Sequence, residues 1–351
     1  MDDISVLITG AGAPGIKGTL FSLKNNFDSR RIKTIGTDVK EGVVGKYLCD
    51  VFHKIPHASE PEYLDCLLNV CKKEKVDVVL PQNTAELLIL SENKKLFEDI
   101  GSIVAISNKE SIEIANDKYQ LIKLAEKIGI PTAKSYLVDT FDGLLNCAQE
   151  LGWPEKPVVI KPPNSNGMRG VRIIKESIDL KYLLYNEKPN NLYVKMDYLE
   201  QILGSSFPLL IIMEYLSNDE YTVDLLNTNN LITIPRARDS IRSGITFEGT
   251  VLNNQDIIKY SKLLANEIGL EYAFGFQFKL DECNVPKIIE SNPRIQGTMV
   301  LSTFAGANII YGAVKHALKE PVPDFNVKWG TKIQRYWGGI GVSKDKIVGS
   351  L

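Results

Sequence analysis

The sequence predicts an α/β protein that begins with a doubly wound parallel sheet in residues 1–110. Short runs rich in Val, Ile and Leu, at residues 5–9, 34–36 and 76–80, alternate with the helical spacing of residues 63–74 and 84–93. This alternation is typical of buried parallel strands that are linked by helices. A glycine-rich turn directly follows the first predicted strand and is a second sign of the same fold.

The glycine-rich turn reads Gly10-Ala11-Gly12-Ala13-Pro14-Gly15, and Asp38 closes the second predicted strand. This spacing matches a dinucleotide site, so one hypothesis is an NAD(P)-dependent oxidoreductase. Glycines are also needed at such a turn to pack the first helix against its strand, so the motif indicates the fold more than the ligand. The sequence leaves open whether this turn binds any ligand.

The middle of the chain carries two lysines beside a polar loop. We predict a helix over residues 112–128, with Lys118 near its start, and a strand over 157–161 that ends at Lys161. The loop after this strand, residues 164–171, contains glycines whose backbone N–H groups can bind phosphate oxygens. It lacks the spacing of a P-loop, and an ordinary hairpin loop with a solvated lysine is the alternative.

Residues 209–226 read as a buried strand, a polar turn and another strand. Glu214, Tyr215 and Leu216 can present main-chain groups to the edge of an adenine, and Glu220 can accept hydrogen bonds from ribose hydroxyls. In the alternative interpretation, both glutamates are edge charges beside a turn.

A predicted hairpin over residues 274–292 carries a candidate metal site. Gln277 lies in an alternating apolar strand, while Glu290 and Asn292 close a second strand, with Arg294 following. One carboxylate and two amide oxygens are hard donors that suit Mg²⁺ beside phosphates. An ordinary strand end before a turn remains the alternative.

Three arginines lie earlier in the chain, on a predicted strand and the turn that follows it. They are Arg236, Arg238 and Arg242. Arginine forks suit a carboxylate or an acyl phosphate, so we expect an anionic substrate here, held by Arg238. The alternative is a solvated edge strand with charge pairing to Asp239 and Glu248.

Composition narrows the function classes. A net charge of -2 gives no reason to expect nucleic acid as the main partner, and five scattered cysteines suggest neither zinc nor disulfides. The N-terminus does not resemble a signal peptide and no run of about 18 apolar residues occurs, so we expect a cytoplasmic protein with no membrane partner. Residues 322–351 are expected to contain a final strand.

These signals occur in a fixed order: Lys118, then Lys161 with its glycine loop, then Glu214 to Glu220, then Gln277 with Glu290 and Asn292. That order resembles the ATP-grasp superfamily, above all the synthetase halves of the carbamoyl phosphate synthetase large subunit and similar single-chain carboxylate–amine ligases. The resemblance implies a Rossmann-like domain (1–110), a small α+β lid domain (111–213) and a larger α+β catalytic lobe with an antiparallel sheet (214–351).

The resemblance also implies roles for individual residues and the cofactors ATP and Mg²⁺, with Mn²⁺ as an alternative ion. The implied ATP contacts are Lys118, Lys161, Asn166, Gly167, Met168, Arg169, Gly170, Val171, Glu214, Tyr215, Leu216, Glu220 and Gln277. The implied metal ligands are Gln277, Glu290 and Asn292, and the catalytic set is Arg294 and Lys161 together with Arg238 from the arginine strand. Because Gln277 stands where many relatives have a second acid, the affinity for one of two metals is expected to be weaker.

We therefore expect an ADP-forming ligase that joins a small carboxylate to an amine. The main alternative within this class is an enzyme similar to carbamoyl phosphate synthetase, which phosphorylates bicarbonate or carbamate. Such an enzyme needs two synthetase halves. This chain has room for one half, and a homodimer would supply both. A catalytically silent ATP-binding regulator and an NAD(P)-dependent oxidoreductase are the alternatives from other classes.

Overall fold

The computed structural model describes residues 2–165, 167–188, 191–228, 230–242, 244–336 and 338–350. The chain forms two compact units. One comprises Met1–Asn116, Asp219–Gln277 and Ser291–Leu351, and the other comprises Asp117–Asn218 and Phe278–Glu290. The three-domain division expected from the sequence stays a prediction.

The chain begins with a five-stranded parallel sheet, as predicted. Its strands are β1 (Ile4–Ile8), β2 (Ile32–Asp38), β3 (Val51–Lys54), β4 (Val78–Leu80) and β5 (Ile103–Val104), in the order β3-β2-β1-β4-β5. The helices are α1 (Ile16–Lys24), α2 (Gly45–Leu48), α3 (Tyr63–Glu74), α4 (Leu87–Glu92), α5 (Lys94–Glu98) and α6 (Lys109–Asn116), with a 3-10 turn at Thr84–Glu86.

Both faces of this sheet are buried. Val6 and Ile8 of β1 belong to one apolar cluster together with Leu20 of α1, whereas Leu7 belongs to a second cluster together with Leu67 of α3. Neighbouring side chains of a strand point to opposite faces, so a continuous apolar run is what a sheet covered on both sides requires.

The second unit contains a five-stranded mixed sheet. Its strands are β6 (Ser135–Thr140), β7 (Val158–Lys161), β8 (Arg172–Ile174), β9 (Tyr193–Val194) and β10 (Ser206–Glu214), in the order β6-β10-β7-β8-β9. Only β8 and β9 pair in parallel among these described strands. The helices of this unit are α7 (Lys118–Lys127), α8 (Phe141–Glu150), α9 (Leu180–Asn186) and α10 (Met196–Leu203).

The single helix predicted over residues 112–128 is wrong, because the chain forms two helices there. Asp117 separates α6 from α7 with an extended backbone, and its Oδ1 accepts hydrogen bonds from the N–H groups of Tyr119 (2.9 Å) and Gln120 (3.0 Å). An aspartate at this position satisfies N–H groups that lack a partner within the helix, which favours a helix start over continuation. Lys118 is therefore the first residue of α7.

The rest of the chain forms a six-stranded sheet and a short hairpin. The strands are β11 (Glu220–Asn227), β12 (Leu231–Arg242), β13 (Ile245–Val251), β14 (Tyr272–Leu280), β15 (Pro286–Asn292) and β16 (Lys332–Gln334), in the order β15-β14-β11-β12-β13-β16. The helices are α11 (Gln255–Ile268), α12 (Val300–Phe304) and α13 (Ile309–Ala317), and β17 (Ile340–Ser343) pairs with β18 (Lys346–Ser350).

The predicted hairpin of β14 and β15 is present, with a turn in which the Asn284 N–H donates to the Asp281 carbonyl (2.9 Å). The arginine-bearing strand β12 lies between β11 and β13, so the alternative of a solvated edge strand is wrong.

Where one final strand was expected, the chain forms three short strands, β16 to β18. Across the described residues, no helix combines the length and the apolar character needed to cross a bilayer.

We predict that Asp117→Ala destabilises the protein by about 1 kcal/mol, because two N–H groups at the start of α7 lose their acceptor. The measurement is chemical denaturation followed by circular dichroism. Asp117→Asn, which keeps the accepting oxygen, is the matched control and should retain most of the stability. Equal loss in both variants would contradict the capping role.

Candidate functional site

Lys118 ties the start of α7 to the polar loop of the same unit. Its side chain is buried, and its Nζ donates a hydrogen bond to the carbonyl of Ser165, while its N–H donates to the Pro163 carbonyl (3.1 Å). Burial lowers the pKa of Lys118, and the negative charge of Glu290 opposes this effect. A lysine of this kind presents a positive charge from a fixed position.

Lys161 is the last residue of β7 and is also buried, with 7% of its surface exposed. Its Nζ donates to the carbonyl of Ile289 at 3.0 Å, the residue directly before Glu290 on β15. The structure therefore brings Lys118, Lys161 and Glu290 together within one unit. Two cations beside one carboxylate can bind a polyanion and hold a divalent cation against it.

The loop after β7 has a backbone conformation that favours glycine. Gly167, Met168 and Gly170 have φ angles of 63°, 62° and 76°, in the left-handed region. A Cβ on Gly170 would lie 2.6 Å from ring carbons of Pro162, so no larger residue fits there. Of the predicted phosphate contacts, Arg169 is exposed in this loop, Val171 follows it, and Asn166 lies outside the described residues.

The side chain of Glu214 makes structural contacts within its own unit. Its Oε1 lies 2.7 Å from the Nζ of Lys287 and accepts a hydrogen bond from the Lys134 N–H at 3.2 Å. Tyr215 and Leu216 follow directly after β10, and Leu216 packs in an apolar cluster of this unit. The adenine contact of these three residues stays a prediction for their main-chain groups.

Glu220 and Arg238, predicted to bind ribose and substrate respectively, are ion-pair partners in the other unit. Arg238 is 7% exposed at its side chain and donates from Nη1 to Glu220, from Nε to the Thr246 hydroxyl (2.8 Å) and from Nη2 to the Gly244 carbonyl (2.6 Å). Any ligand that reaches Glu220 would therefore share its carboxylate with Arg238.

The other two arginines of β12 have different surroundings. Arg236 is completely buried against Asp224, and the guanidinium carbon of Arg242 lies 3.9 Å from the ring centroid of Phe247. Arg236 therefore has no surface to offer a substrate.

Arg294 is fixed by groups from two parts of its own unit. Its Nη2 donates to the amide oxygen of Asn292 (3.2 Å), and its Nε donates to the hydroxyl of Thr84 (3.1 Å). Sequence reasoning missed Thr84, which lies four residues after the end of the predicted strand at Leu80. That position was a usable signal, because residues that follow the carboxyl ends of parallel strands line binding crevices.

The donor set of the predicted metal site fits Mg²⁺ by its chemistry. Glu290 and Asn292 lie two residues apart on β15, and Gln277 lies on β14. Glu290 belongs to one unit and the other two residues to the other, so a metal site shared by all three stays a prediction. They supply one carboxylate and two amide oxygens, which are hard donors. No three Asp, Glu, His or Cys side chains gather as metal ligands in the described part of the chain.

The N-terminal glycine turn is a packing motif in this structure. The Gly12 N–H donates to Asp38 Oδ2 (2.8 Å), so the acid that completes the dinucleotide-like spacing holds the turn itself. A Cβ on Gly15 would lie 2.5 Å from the Cα of Gly297, three residues after Arg294. The turn thus packs against the backbone of the segment that carries Arg294.

Comparisons with known proteins find two family matches and a set of related sequences. Residues 206–337 match a family described as ATP-grasp in the biosynthetic pathway with Ter operon, and residues 6–106 match the PylC-like N-terminal domain. The carbamoyl phosphate synthase large chain of Clostridium acetobutylicum is 26% identical over 271 residues, which are 73% of this chain and 23% of that protein.

Solved structures share the fold. The N5-carboxyaminoimidazole synthetase of Staphylococcus aureus, complexed with ADP, superposes with a TM-score of 0.66 at 16% identity, covering 93% of this chain and 80% of the other. The biotin carboxylase of Campylobacter jejuni also gives 0.66 at 17% identity, covering 93% and 73% respectively. These matches confirm the predicted fold class and the resemblance to ATP-grasp proteins, while this chain spans about a quarter of the length of the curated relatives it matches.

We predict that Gly15→Ala destabilises the protein by about 1–3 kcal/mol, because the added methyl group would overlap the backbone of Gly297. The measurement is the midpoint of urea denaturation. Gly42→Ala is the control, since a Cβ there meets no atom within 4 Å. Similar stability of both variants would show that the Gly15 contact is not a close one.

Proposed function

We propose that this ATP-grasp chain is an ADP-forming ligase that joins a small carboxylate to an amine through an acyl phosphate. The observation that carries the proposal is the grouping of Lys118 and Lys161 with Glu290, in the chain order typical of ATP-grasp proteins. The match to the carbamoyl phosphate synthase large chain supports the same class of chemistry.

The reaction needs ATP because a carboxylate has no usable leaving group. A carboxylate oxygen attacks the γ-phosphorus, the bond from that phosphorus to the β–γ bridging oxygen breaks, and ADP leaves. The amine then attacks the carbonyl carbon of the acyl phosphate, inorganic phosphate departs, and the nitrogen loses a proton. The product is an amide.

The protein residues contribute position and charge to these steps. The fixed ammonium groups of Lys118 and Lys161 would hold the phosphates, and the 164–171 loop would exclude water from them. The guanidinium of Arg294, held by Asn292 and Thr84, would stabilise charge on the transferred phosphoryl group.

A divalent metal ion would complete the phosphate site. Glu290, Gln277 and Asn292 would hold Mg²⁺ or Mn²⁺, which supplies charge neutralisation for the phosphates when bound.

A second candidate activity is the phosphorylation of bicarbonate or carbamate. It is favoured by the carbamoyl phosphate synthase match and by Gln277, since the resemblance to the carbamoyl phosphate synthetase family implies a glutamine where other relatives have an acid. Such an enzyme needs two synthetase halves, and a homodimer of this chain would supply both. Both reactions take small molecules, and neither requires a nucleic acid or membrane partner.

Alternatives from other classes have weaker support. A nicotinamide-dependent oxidoreductase would use the glycine turn, but Asp38 already accepts the Gly12 N–H and Gly15 packs against Gly297. A silent ATP-binding regulator would need no carboxylate beside the two lysines.

We predict that ADP release from MgATP requires both an acid and an amine, and that Glu290→Gln lowers the rate by at least about 100-fold, because a metal ligand loses its charge. The assay covers amino acids, small carboxylates and bicarbonate, each with and without ammonia or an amine. Glu282→Gln, in the exposed turn of the same hairpin, is the control and should keep full activity.

The other outcomes of this assay separate the rival functions. Turnover with bicarbonate and ammonia alone would favour the synthetase-like activity. ATP binding without turnover on any pair would support a regulator, and binding of NAD(P)H by the whole chain would support an oxidoreductase.

We predict that Arg238→Lys raises the KM of the carboxylate substrate about 10-fold and leaves the KM of ATP unchanged, because lysine keeps the charge beside Glu220 but lacks the guanidinium fork. Arg242→Lys, on the same strand, is the control. A rise in the KM of ATP instead would show that Arg238 acts by orienting Glu220 rather than by holding the acid.

A further inference from the structure

A fully buried ion pair lies under the segment that carries Arg294. The Nη2 of Arg236 donates to Asp224 Oδ1 at 2.7 Å, and its Nε lies 2.7 Å from Oδ2 but makes no hydrogen bond of its own. Both side chains are 0% exposed. The two residues are diagonal neighbours on the adjacent strands β11 and β12 of one unit, where the register pairs Asp224 with Ile234 and Arg236 with Thr222.

The polar atoms of this pair are directed at residues 296–302. The Nη1 of Arg236 donates to the Thr298 hydroxyl (2.9 Å), the Ser302 hydroxyl donates to Asp224 Oδ2 (2.6 Å), and the Gln296 amide donates to Oδ1 (3.3 Å). The pair therefore connects the sheet to the segment that begins two residues after Arg294.

The sheet leaves room for this segment at a glycine of β14. The Gln296 amide nitrogen lies over Gly275, where an added Cβ would come within 1.5 Å of it, and it also donates to the Val223 carbonyl (3.1 Å). A side chain at position 275 would displace Gln296. The hydrogen bonds of Gln296 to Asp224 and Val223 therefore require glycine at this position.

The same segment is fixed from its other side. Gly15 packs against the backbone of Gly297, and the Nη2 of Arg335 donates to the Gly297 carbonyl (3.0 Å). Burial, and then the positive charge of Arg236, lower the pKa of Arg335.

Stabilisation of the fold is by itself a weak explanation for a buried ion pair such as Asp224 with Arg236. Removing two charges from water costs free energy, and replacing a buried ion pair by apolar residues is often neutral or stabilising. Buried charges that are held by several hydrogen bonds do fix one arrangement of the chain, because any displacement leaves a charge without its partner.

We propose that Asp224 and Arg236 are positioning residues that hold the segment 295–298 and thereby set the place of the Arg294 guanidinium. This inference rests on the proposed phosphoryl transfer, in which Arg294 stabilises the transferred group. Small displacements of a catalytic group cost large factors in rate, about 100-fold for about 1 Å. The pair itself contacts no ligand and acts through Thr298 and Gln296.

The test uses a matched pair of variants at Thr298 in the full chain. Thr298→Val keeps the shape but removes the hydroxyl that accepts from Arg236, whereas Thr298→Ser keeps the hydroxyl. We expect Thr298→Val to lower kcat at least about 10-fold with the KM of ATP unchanged, and Thr298→Ser to restore most of kcat, because only the hydrogen bond differs.

Asp224→Asn tests the ion pair directly, and Asp28→Asn is its control. Asp28 belongs to another ion pair of the same unit, with Lys315 Nζ at 2.5 Å and the Tyr311 hydroxyl at 3.0 Å. Both variants should lower the melting temperature, but only Asp224→Asn should lower kcat. An equal loss of kcat in Asp224→Asn and Asp28→Asn would overturn the positioning role. If Asp224→Asn does not fold, the comparison of Thr298→Val with Thr298→Ser tests that role instead.

Amide hydrogen exchange of residues 294–299 gives a readout that needs no substrate. We expect faster exchange in Thr298→Val and Asp224→Asn, and unchanged exchange in Thr298→Ser and Asp28→Asn. Unchanged exchange in Thr298→Val would overturn the inference, as would faster exchange with normal kcat. If the wild-type chain turns over no acid and amine, the proposed function fails, while the exchange data still decide whether the pair holds the segment.

Discussion

The burial of charged side chains is the constraint on which the rest of this structure depends. Lys118 and Lys161 in one unit, and Arg236 in the other, are each less than a tenth exposed. A charge removed from water must find partners inside the protein, so each of these residues fixes the chain around it. Lys118 and Lys161 bind carbonyls of the polar loop and of β15, and Arg236 binds Asp224 and Thr298. The two lysines, which suit an anionic ligand, therefore also organise their surroundings, whereas Arg236 has a structural role alone.

The N-terminal glycine turn shows how one motif can serve two purposes in different proteins. The spacing Gly10, Gly12, Gly15 matches a dinucleotide site, but in this chain Gly12 binds Asp38 and Gly15 admits the backbone of Gly297. Glycine is required because a side chain would collide, irrespective of any ligand. The turn contributes to the candidate site indirectly, by packing against the segment that follows Arg294.

Much of the fold was predictable because its signals are local. The alternation of apolar strands and helices in residues 1–110, the hairpin of β14 and β15, and the order of Lys118, Lys161, Glu214 and Glu290 are all readable in the sequence. The helix over residues 112–128 was mispredicted because its apolar spacing continues through Asp117, while the capping hydrogen bonds that divide it depend on backbone conformation. The position of β12 inside its sheet was also hidden, since strand order depends on contacts between distant segments.

The sequence by itself determined the fold class, the ATP-grasp resemblance and the residue types that suit phosphate and Mg²⁺, because propensity, periodicity and spacing belong to the local chain. Only the tertiary structure decided which partners the charged side chains take. Glu220 with Arg238, Asp224 with Arg236, and Arg294 with Thr84 join residues 12 to 210 positions apart. The physical reason is that the partner of a charge is set by distance and burial in the folded chain, and those quantities do not exist until strands from separate parts of the sequence lie side by side.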